Sequence, residues 1–578
     1  MADHDPRDTL IDTIEQGKRL IRLGGDKGLS LAERLAERIN RLAWRTPLHG
    51  LRLNGKHPLK LIAVPDDPIF GDPTRGNAML DGRIEWMGEA RAIADLDFAR
   101  PDWSSGFAEY VHSFAWLRDL SSVATRAQGA PIAEGVMRVW IARHGEQVSE
   151  PAWRADLIGR RILFWSAHAP LILSSADLVY RSAVLNALAR GARHLDRSAD
   201  KMPPGTGRVA AWCGVTMAGL LIAGGEPRQQ GGEAGLQRAL TTAIFPDGGN
   251  VQRSAAAQLD LIALLTLLRE GYLARRIEPP AFLGEALARL VPALLGVMHG
   301  DRALSSWQGG GPMTAGAIAA IIDASGVRTR PLRQARDWGY QRISAAQSVL
   351  IIDAAPPPVA RLVEGGCGST LAFEFSEGPV RLIVNCGGAR AIMRPAANRL
   401  AEGLRTTAAH STLVVGDSNS TAIHSDGTLG KGVVEVELSR QESETSSRIE
   451  ASHDGYARRY GFVHRRQLVL ASDGRDLRGD DMLLPVGRKS RRGATPFAVR
   501  FHLGLGVEAT PTTDGMAALL RVPGGALWQF RCRGGTLAID DSLWVDGLGM
   551  AHPTRQLVIV AEAPGGGASV SWVLKRAR

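Results

Sequence analysis

The sequence predicts a multidomain α + β protein, helical to about residue 330 and an antiparallel β-sandwich beyond it. Three observations predict this. The chain has 578 residues, too many for one hydrophobic core. In the first part, apolar residues recur at three- and four-residue spacing. After Pro331, short β-prone runs alternate with Gly, Asp, Asn and Pro turns.

The elements follow in order. The opening stretch, MADHDPRDTLIDTIEQGKRLIRLGG, reads as an amphipathic helix. It has neither a short apolar core nor a small-residue cleavage site, so no secretory leader is expected. Helices are expected at Leu29–Trp44, Phe107–Leu120, Pro151–Ser166, Asp177–Arg193, Val209–Ala223, Ala255–Glu270 and Pro280–Leu295. Ala255–Glu270 is apolar nearly all round and so predicted buried, with Gly271 as its stop signal. Helix pairs joined by short turns suggest a toroid or solenoid. Strands are expected at Ser348–Asp353, Thr370–Phe375, Arg381–Asn385, Ser411–Val415, Arg466–Ala471, Ala498–Leu503, Ala517–Val522, Ala526–Arg531, Gln556–Ala561 and Ser569–Leu574. The texture changes near Gly326–Asp337. Residues 1–95 are read as a helical lead-in, 96–330 as the toroid and 331–578 as the β-sandwich.

Hydrophobic residues make up 44% and charged residues 22%, as in an ordinary globular protein. No apolar run reaches the ~18 residues of a membrane span. The net charge of +10 favours anionic partners: acidic glycan, nucleic acid or anionic lipid. An arginine-rich coding bias explains the same charge equally well. No zinc finger, RNP-type motif or long basic run supports a nucleic-acid partner. Cys213, Cys367, Cys386 and Cys532 are scattered and imply no disulfide framework, which fits a reducing compartment and a cytoplasmic location.

Several motifs then occur in a telling order. They are Phe245-Pro-Asp-Gly-Gly-Asn-Val-Gln-Arg-Ser254, Asp337-Trp-Gly-Tyr340, Leu371-Ala-Phe-Glu-Phe375 and Arg381-Leu-Ile-Val-Asn-Cys-Gly387. Thr407-Ala-Ala-His-Ser-Thr-Leu413, His453-Asp-Gly-Tyr456, His464-Arg-Arg466 and Arg478-Gly-Asp-Asp481 follow. Over roughly residues 100–575 this order resembles the heparinase II/III-like family of polysaccharide lyases. The resemblance implies an incomplete α/α toroid joined to an antiparallel β-sandwich. It also implies β-elimination on a uronic-acid-containing glycan, whether heparan-like, alginate-like or derived from the cell envelope. Family members acting on external polysaccharide are exported, so the resemblance leaves periplasm or envelope as the alternative location.

β-Elimination takes the C5 proton of a uronate and expels the oxygen at C4. The reaction needs a group that neutralises the carboxylate, a base and an acid. The family's own set is a toroid Asn, a toroid Tyr and an H-x-H-x-D run, and this sequence departs at each. Pro203-Pro-Gly-Thr-Gly-Arg208 stands where the Asn is expected. Ala255-Ala-Ala-Gln258 follows Ser254 without a Tyr, Gln252 replaces a Glu, Gly365-Gly-Cys-Gly-Ser369 replaces the histidine run, and Asn385 stands for an Asp.

Three readings remain open. In a lyase using other groups, His410, Tyr456, His453 and Tyr340 are the acid/base candidates. Gln252, Arg253, Asn250, Arg208 and Arg405 would then bind substrate. In a family member with altered or lost chemistry, the fold serves glycan binding or an envelope-related role. No cofactor is required by either. In the third reading, Cys367, Cys386 and His410 form a zinc site, since thiolate and imidazole suit zinc. Each candidate also has a bland reading. His410 can be a hydrogen-bonded strand residue, His453 and Tyr456 a turn, Gln252 and Arg253 a cap, Tyr340 and His112 packing, and the cysteines small buried residues.

Overall fold

A computed structural model describes residues 14–21, 39, 44, 46–99, 102–359, 362–363, 365–392, 398–425, 427–487 and 493–577. Helices dominate from Pro47 as far as Ser325, and, apart from Ile14–Ile21, the strands of the large sheets begin at Tyr340. The helix Thr206–Leu221 is the hub of the helical part. It packs against Ala155–Ala167, Leu178–Ser198, Glu226–Ala243 and Ala255–Ala274. Glycine makes these approaches possible: a Cβ at Gly214 would meet the Gly159 main chain of the neighbouring helix at 2.5 Å.

The structure corrects several element boundaries. Residues Ile14–Ile21 form a strand that pairs antiparallel with Glu435–Glu442, instead of continuing an amphipathic helix. The pairing explains the change: the edge of the sheet at Glu435–Glu442 takes up the segment's main-chain hydrogen bonds. The helix predicted at Leu29–Trp44 falls largely outside the described residues. Phe107–Leu120 is two helices, Ser105–Ser113 and Trp116–Ser121, broken where Phe114 adopts φ 63°. Gly271 is no stop. The helix runs on to Ala274, and a Cβ at Gly271 would meet Met217 Sδ at 2.6 Å. This glycine serves interhelical packing.

Among the described residues the β part holds two large antiparallel sheets. One has nine strands, ordered Ile14–Ile21, Glu435–Glu442, Ser446–His453, Phe462–Ala471, Asp476–Pro485, Ala568–Arg576, Leu527–Arg533, Ala517–Arg521 and Glu508–Pro511. The other has eight and runs from Thr536–Val545 to Tyr340–Ala345 through the central strand Thr495–Leu503. Their inner faces share one apolar core. Phe373 stacks on Trp572 at 5.6 Å, and Phe501 meets Phe530 edge-on at 5.0 Å. The helical core continues into this part through Trp338, Tyr340, Val349 and Ile351, so the two halves share buried apolar surface. Among the described residues no helix is long and apolar enough to cross a membrane.

Candidate functional site

The segment Asp247–Ser254 lies between the helix ending at Ala243 and the helix starting at Ala255, and it joins the two halves. Asp247 Oδ2 accepts hydrogen bonds from the Asp337 and Trp338 main-chain N–H groups at 2.7 and 2.8 Å. Gly249 has no room for a Cβ against the Trp338 ring. Arg253, buried at φ 55°, donates to Trp338 O at 2.8 Å, to Pro356 O at 2.9 Å and to Asp353 Oδ1 at 2.5 Å. The Tyr340 hydroxyl donates to Arg253 O at 2.6 Å, and its ring lies under the guanidinium. Asn250 spends its amide on Ser254 O and Gln258 Oε1. Gln252 Oε1 accepts from the Thr206 N–H and hydroxyl, capping the helix Thr206–Leu221, whose N-cap Gly205 has no side chain.

Beneath that joint lies a buried polar network. Asp353 Oδ2 accepts from Ser369 Oγ at 2.7 Å. Glu374 accepts from the Ser306 N–H at 2.9 Å and from Asn385 Nδ2 at 3.0 Å, with His299 and Arg381 against its other oxygen. Burial would raise the Glu374 carboxyl, but the His299 contact and the Arg381 guanidinium hold it below its usual range. Neither Asp353 nor Glu374 was singled out from sequence, where each sits inside an apolar strand and reads as an interruption.

His410 borders the same network. Its Nδ1 lies 2.7 Å from Thr406 O, so Nδ1 carries the proton, while the buried Nε2 has no hydrogen-bond partner. Burial lowers its pKa; the Thr406 carbonyl, Asp353 and Glu374 pull the other way without prevailing. The result is a neutral imidazole with a free lone pair, closed off from solvent. Asp353 thus pairs directly with Arg253 of the Asp247–Ser254 segment and acts on His410 only through space.

The remaining candidates are also placed. Tyr456 is buried and donates to Leu413 O at 2.9 Å; burial pushes its phenol above the ordinary range. Burial does the same to Tyr340. His453 Nδ1 accepts from the Gly455 N–H, and its Nε2 faces His464 Nδ1 at 3.3 Å. His464 passes on to Asp481 at 2.8 Å. Arg466 binds Asp481 and donates to Ser411 O at 2.8 Å, beside His410. Burial, then His464 and Arg466, keep His453 well below its usual pKa. Arg405 is buried against Gly366 O and Gly427 O. Arg208 donates to Met202 O at 2.6 Å and Asp200 O at 3.0 Å.

The zinc reading is corrected. The Cys367 thiol faces Gly365 O, whereas Cys386 faces His502 Nδ1 at 3.4 Å, so the two sulfurs serve different neighbours. Burial raises both thiols to about 11, which opposes the thiolate that zinc requires. Among the described residues no three His, Cys, Asp or Glu side chains converge as a ligand set.

Glycine-rich main chain lies beside the segment leading to His410. The glycine-rich loops Gly309–Gly311, Gly365–Gly368 and Gly387–Gly388 pack against one another: the Gly388 N–H donates to Gly310 O at 3.3 Å and the Arg390 N–H to Gly309 O at 3.1 Å. A Cβ at Gly366 would meet Leu429 at 2.7 Å, and one at Gly368 would meet Thr407 Oγ1 at 2.7 Å. Gly387, at φ 54°, has no room for a Cβ against Ser306. At the rim of the same seam, Arg390 of the β half reaches Glu109 of the helical half at 2.7 Å. Glu109 also pairs with Arg154 at 2.8 Å. Burial would raise Glu109, but Arg390, Arg154 and Arg160 lower it to about 2. Sequence reading missed this cross-link; the paired glycines were its visible signal.

Comparison with known proteins agrees with the architecture. Residues 327–573 match the family described as heparinase II/III-like, C-terminal. The solved structure of heparinase III superposes with a TM-score of 0.68 at 12% identity, covering 96% of this chain and 93% of that one. Chondroitin AC lyase of Streptomyces coelicolor gives a TM-score of 0.51 at 11% identity, covering 94% of this chain and 82% of the other. FtsZ-localized protein C of Caulobacter vibrioides is 29% identical over 557 residues, 92% of each chain. The helical part is therefore a toroid of the lyase type, followed by the lyase β-sandwich. Residues 327–573 match a heparinase II/III-like C-terminal domain, and the chain as a whole shares the fold of heparinase III.

Proposed function

We propose that this chain keeps the polysaccharide-lyase fold without its β-elimination chemistry, and acts in the cytoplasm as a binding or assembly factor of the division apparatus. One observation carries the reading. In Gly365-Gly-Cys-Gly-Ser369, which replaces the family's histidine run, Gly366 packs against Leu429 and Val363 and Gly368 against Thr407, leaving no room for a catalytic side chain at either position. The polar candidates beside it support the same reading. Arg253, Tyr340 and Tyr456 are committed to backbone or carboxylate partners, and the seam is tied on both sides. The long match to FtsZ-localized protein C supplies the direction toward division. A glycan, including an envelope-derived uronate, remains the natural ligand class for the fold.

A second reading, a lyase on acidic glycan, is favoured by the unpartnered Nε2 of His410, a base that would act after the seam opens. A screen of uronate glycans read by ultraviolet absorbance separates the two. We expect no unsaturated product from the wild-type chain, and co-localisation of a tagged chain with FtsZ in its own bacterium. Unsaturated product that disappears in a stably folded His410→Ala variant would establish the lyase. A diffuse distribution of the tagged chain would remove the division role.

A further inference from the structure

Far from the strands, the helical part holds a pocket of about 420 Å³ lined by Gly50, Leu51, Asn54, Glu146, Asn186 and Arg190. The helix Pro47–Leu53 and its C-cap Asn54 supply one wall, and the long helix Leu178–Ser198 supplies the other. Glu146 follows the helix Arg126–His144 and closes the end. No residue of the β-sandwich contributes.

Arg190 is the unusual member. Its residue is 5% exposed, yet among the described residues no carboxylate forms an ion pair with it. It donates to Asn54 Oδ1 and to the main-chain oxygen of Glu146 at 2.9 Å, and its buried Nε has no partner. Arg253 has Asp353 and Arg466 has Asp481; Arg161 and Arg405, buried as deeply, donate only to main-chain oxygens, and what sets Arg190 apart is its place in a pocket wall with an unpartnered Nε. A buried cation without a counter-charge is costly unless a ligand supplies one.

The surroundings add positive charge. Arg193, one turn along the helix, donates to Leu53 O and Lys56 O. Burial lowers His49 below its usual pKa, and Arg197, Arg52, Lys201 and Arg190 push it the same way, so this imidazole is neutral and adds no charge. The exposed Glu146 side chain is the acid acting on Arg190. The half-buried Asn186 amide and the exposed Leu51 side chain complete the lining. An amide hydrogen-bonds hydroxyls, an aliphatic face receives the C–H face of a sugar ring, and a guanidinium fork receives a carboxylate or phosphate.

We propose that this pocket binds a monosaccharide-sized anionic sugar, a sugar acid or a sugar phosphate, with Arg190 as the anion receptor and Asn54 and Asn186 on the hydroxyls. The site stands apart from the His410 seam and does not depend on whether that seam is catalytic. A carboxylate or phosphate at Arg190 would pair directly with a guanidinium that Glu146 reaches only through space, and the volume suits one hexose.

The test is calorimetry and saturation-transfer NMR on the full chain with D-glucuronate, glucose 6-phosphate, inorganic phosphate and glucose. We expect saturable binding of glucuronate or glucose 6-phosphate, and at least tenfold weaker binding of glucose and of bare phosphate. Preference between the first two identifies the anion. Asn186→Leu and Arg190→Gln should each weaken binding about tenfold or more. Asn186→Leu, at the pocket rim, decides the matter if Arg190→Gln fails to fold. Three results would overturn the proposal: no saturable binding of either sugar anion up to about 10 mM, glucose or bare phosphate binding as tightly as the sugar anions, or affinity unchanged in a folded Asn186→Leu chain.

Discussion

Arg253 and Arg190 are both buried arginines of the helical half, and they meet opposite circumstances. Arg253 finds Asp353 at 2.5 Å and two main-chain carbonyls within 2.9 Å across the domain boundary. Arg190 finds an amide oxygen and one carbonyl, with its Nε unmatched. The first has every demand met inside the protein and therefore holds structure together. The second has a demand left open at a pocket. Burial of a charge beside a motif does not by itself mark a site; an unsatisfied donor in a pocket wall does.

The comparison can be broken most decisively at Arg253. Arg253→Met should strand Asp353 in the interior and cost about 3–5 kcal/mol of stability, read by urea unfolding. A loss below ~1 kcal/mol would show that the joint does not depend on this ion pair.

The glycine packing beside the His410 segment gives the next largest effect. Gly387→Ala forces a Cβ into Ser306 at a positive φ. It should cost about 1–3 kcal/mol, whereas Gly284→Ala, in open helical space, should be neutral or mildly stabilising. Equal effects at the two positions would refute the filled-seam account.

Acid should weaken the fold through its buried histidines. His112, His194 and His502 are pushed to about 3 by burial, and His299, His410, His453 and His464 are also lowered. The unfolded chain takes up these protons near pH ~6.5 while the folded chain does not. Stability is therefore full above that value and falls as pH drops from there toward the folded-state pKa values. The urea midpoint should drop steadily between pH ~6.5 and ~4; a flat profile would mean these imidazoles are not held neutral. Removing one such histidine, as in His502→Gln, should flatten the curve.

The smallest effect is expected at the rim. Arg390 is 45% exposed in its pair with Glu109, so Arg390→Ala should cost under about 1 kcal/mol and less in high salt. A larger, salt-independent loss would make the rim contact as integral as the Arg253 joint.

Some elements were legible because neighbours and solvent impose a simple pattern. Ser348–Asp353 is buried at every position, and its apolar run shows its bounds directly. The strand Asp476–Pro485 was missed. Its inward positions include Gly479 and Asp481, one packed under Trp572 and the other held by Arg466, so no apolar alternation survives. Glu435–Glu442 was missed for the same reason, with Arg440 buried in an inward place. His410 was found through its motif, while the carboxylates beside it were hidden inside strands.

The sequence by itself determined the division into helices and strands, the order of the family motifs and the loss of the family's histidine run, because each is written in local periodicity or residue identity. Tertiary structure alone decided what those residues do. Distant segments bring Asp353 to Arg253, pack glycine loops beside the His410 segment, and leave Arg190 in a pocket wall without an ion pair, and each of these outcomes depends on contacts between residues some forty to more than a hundred positions apart. Charge compensation and close packing are properties of those contacts, so they are settled only when the chain has folded.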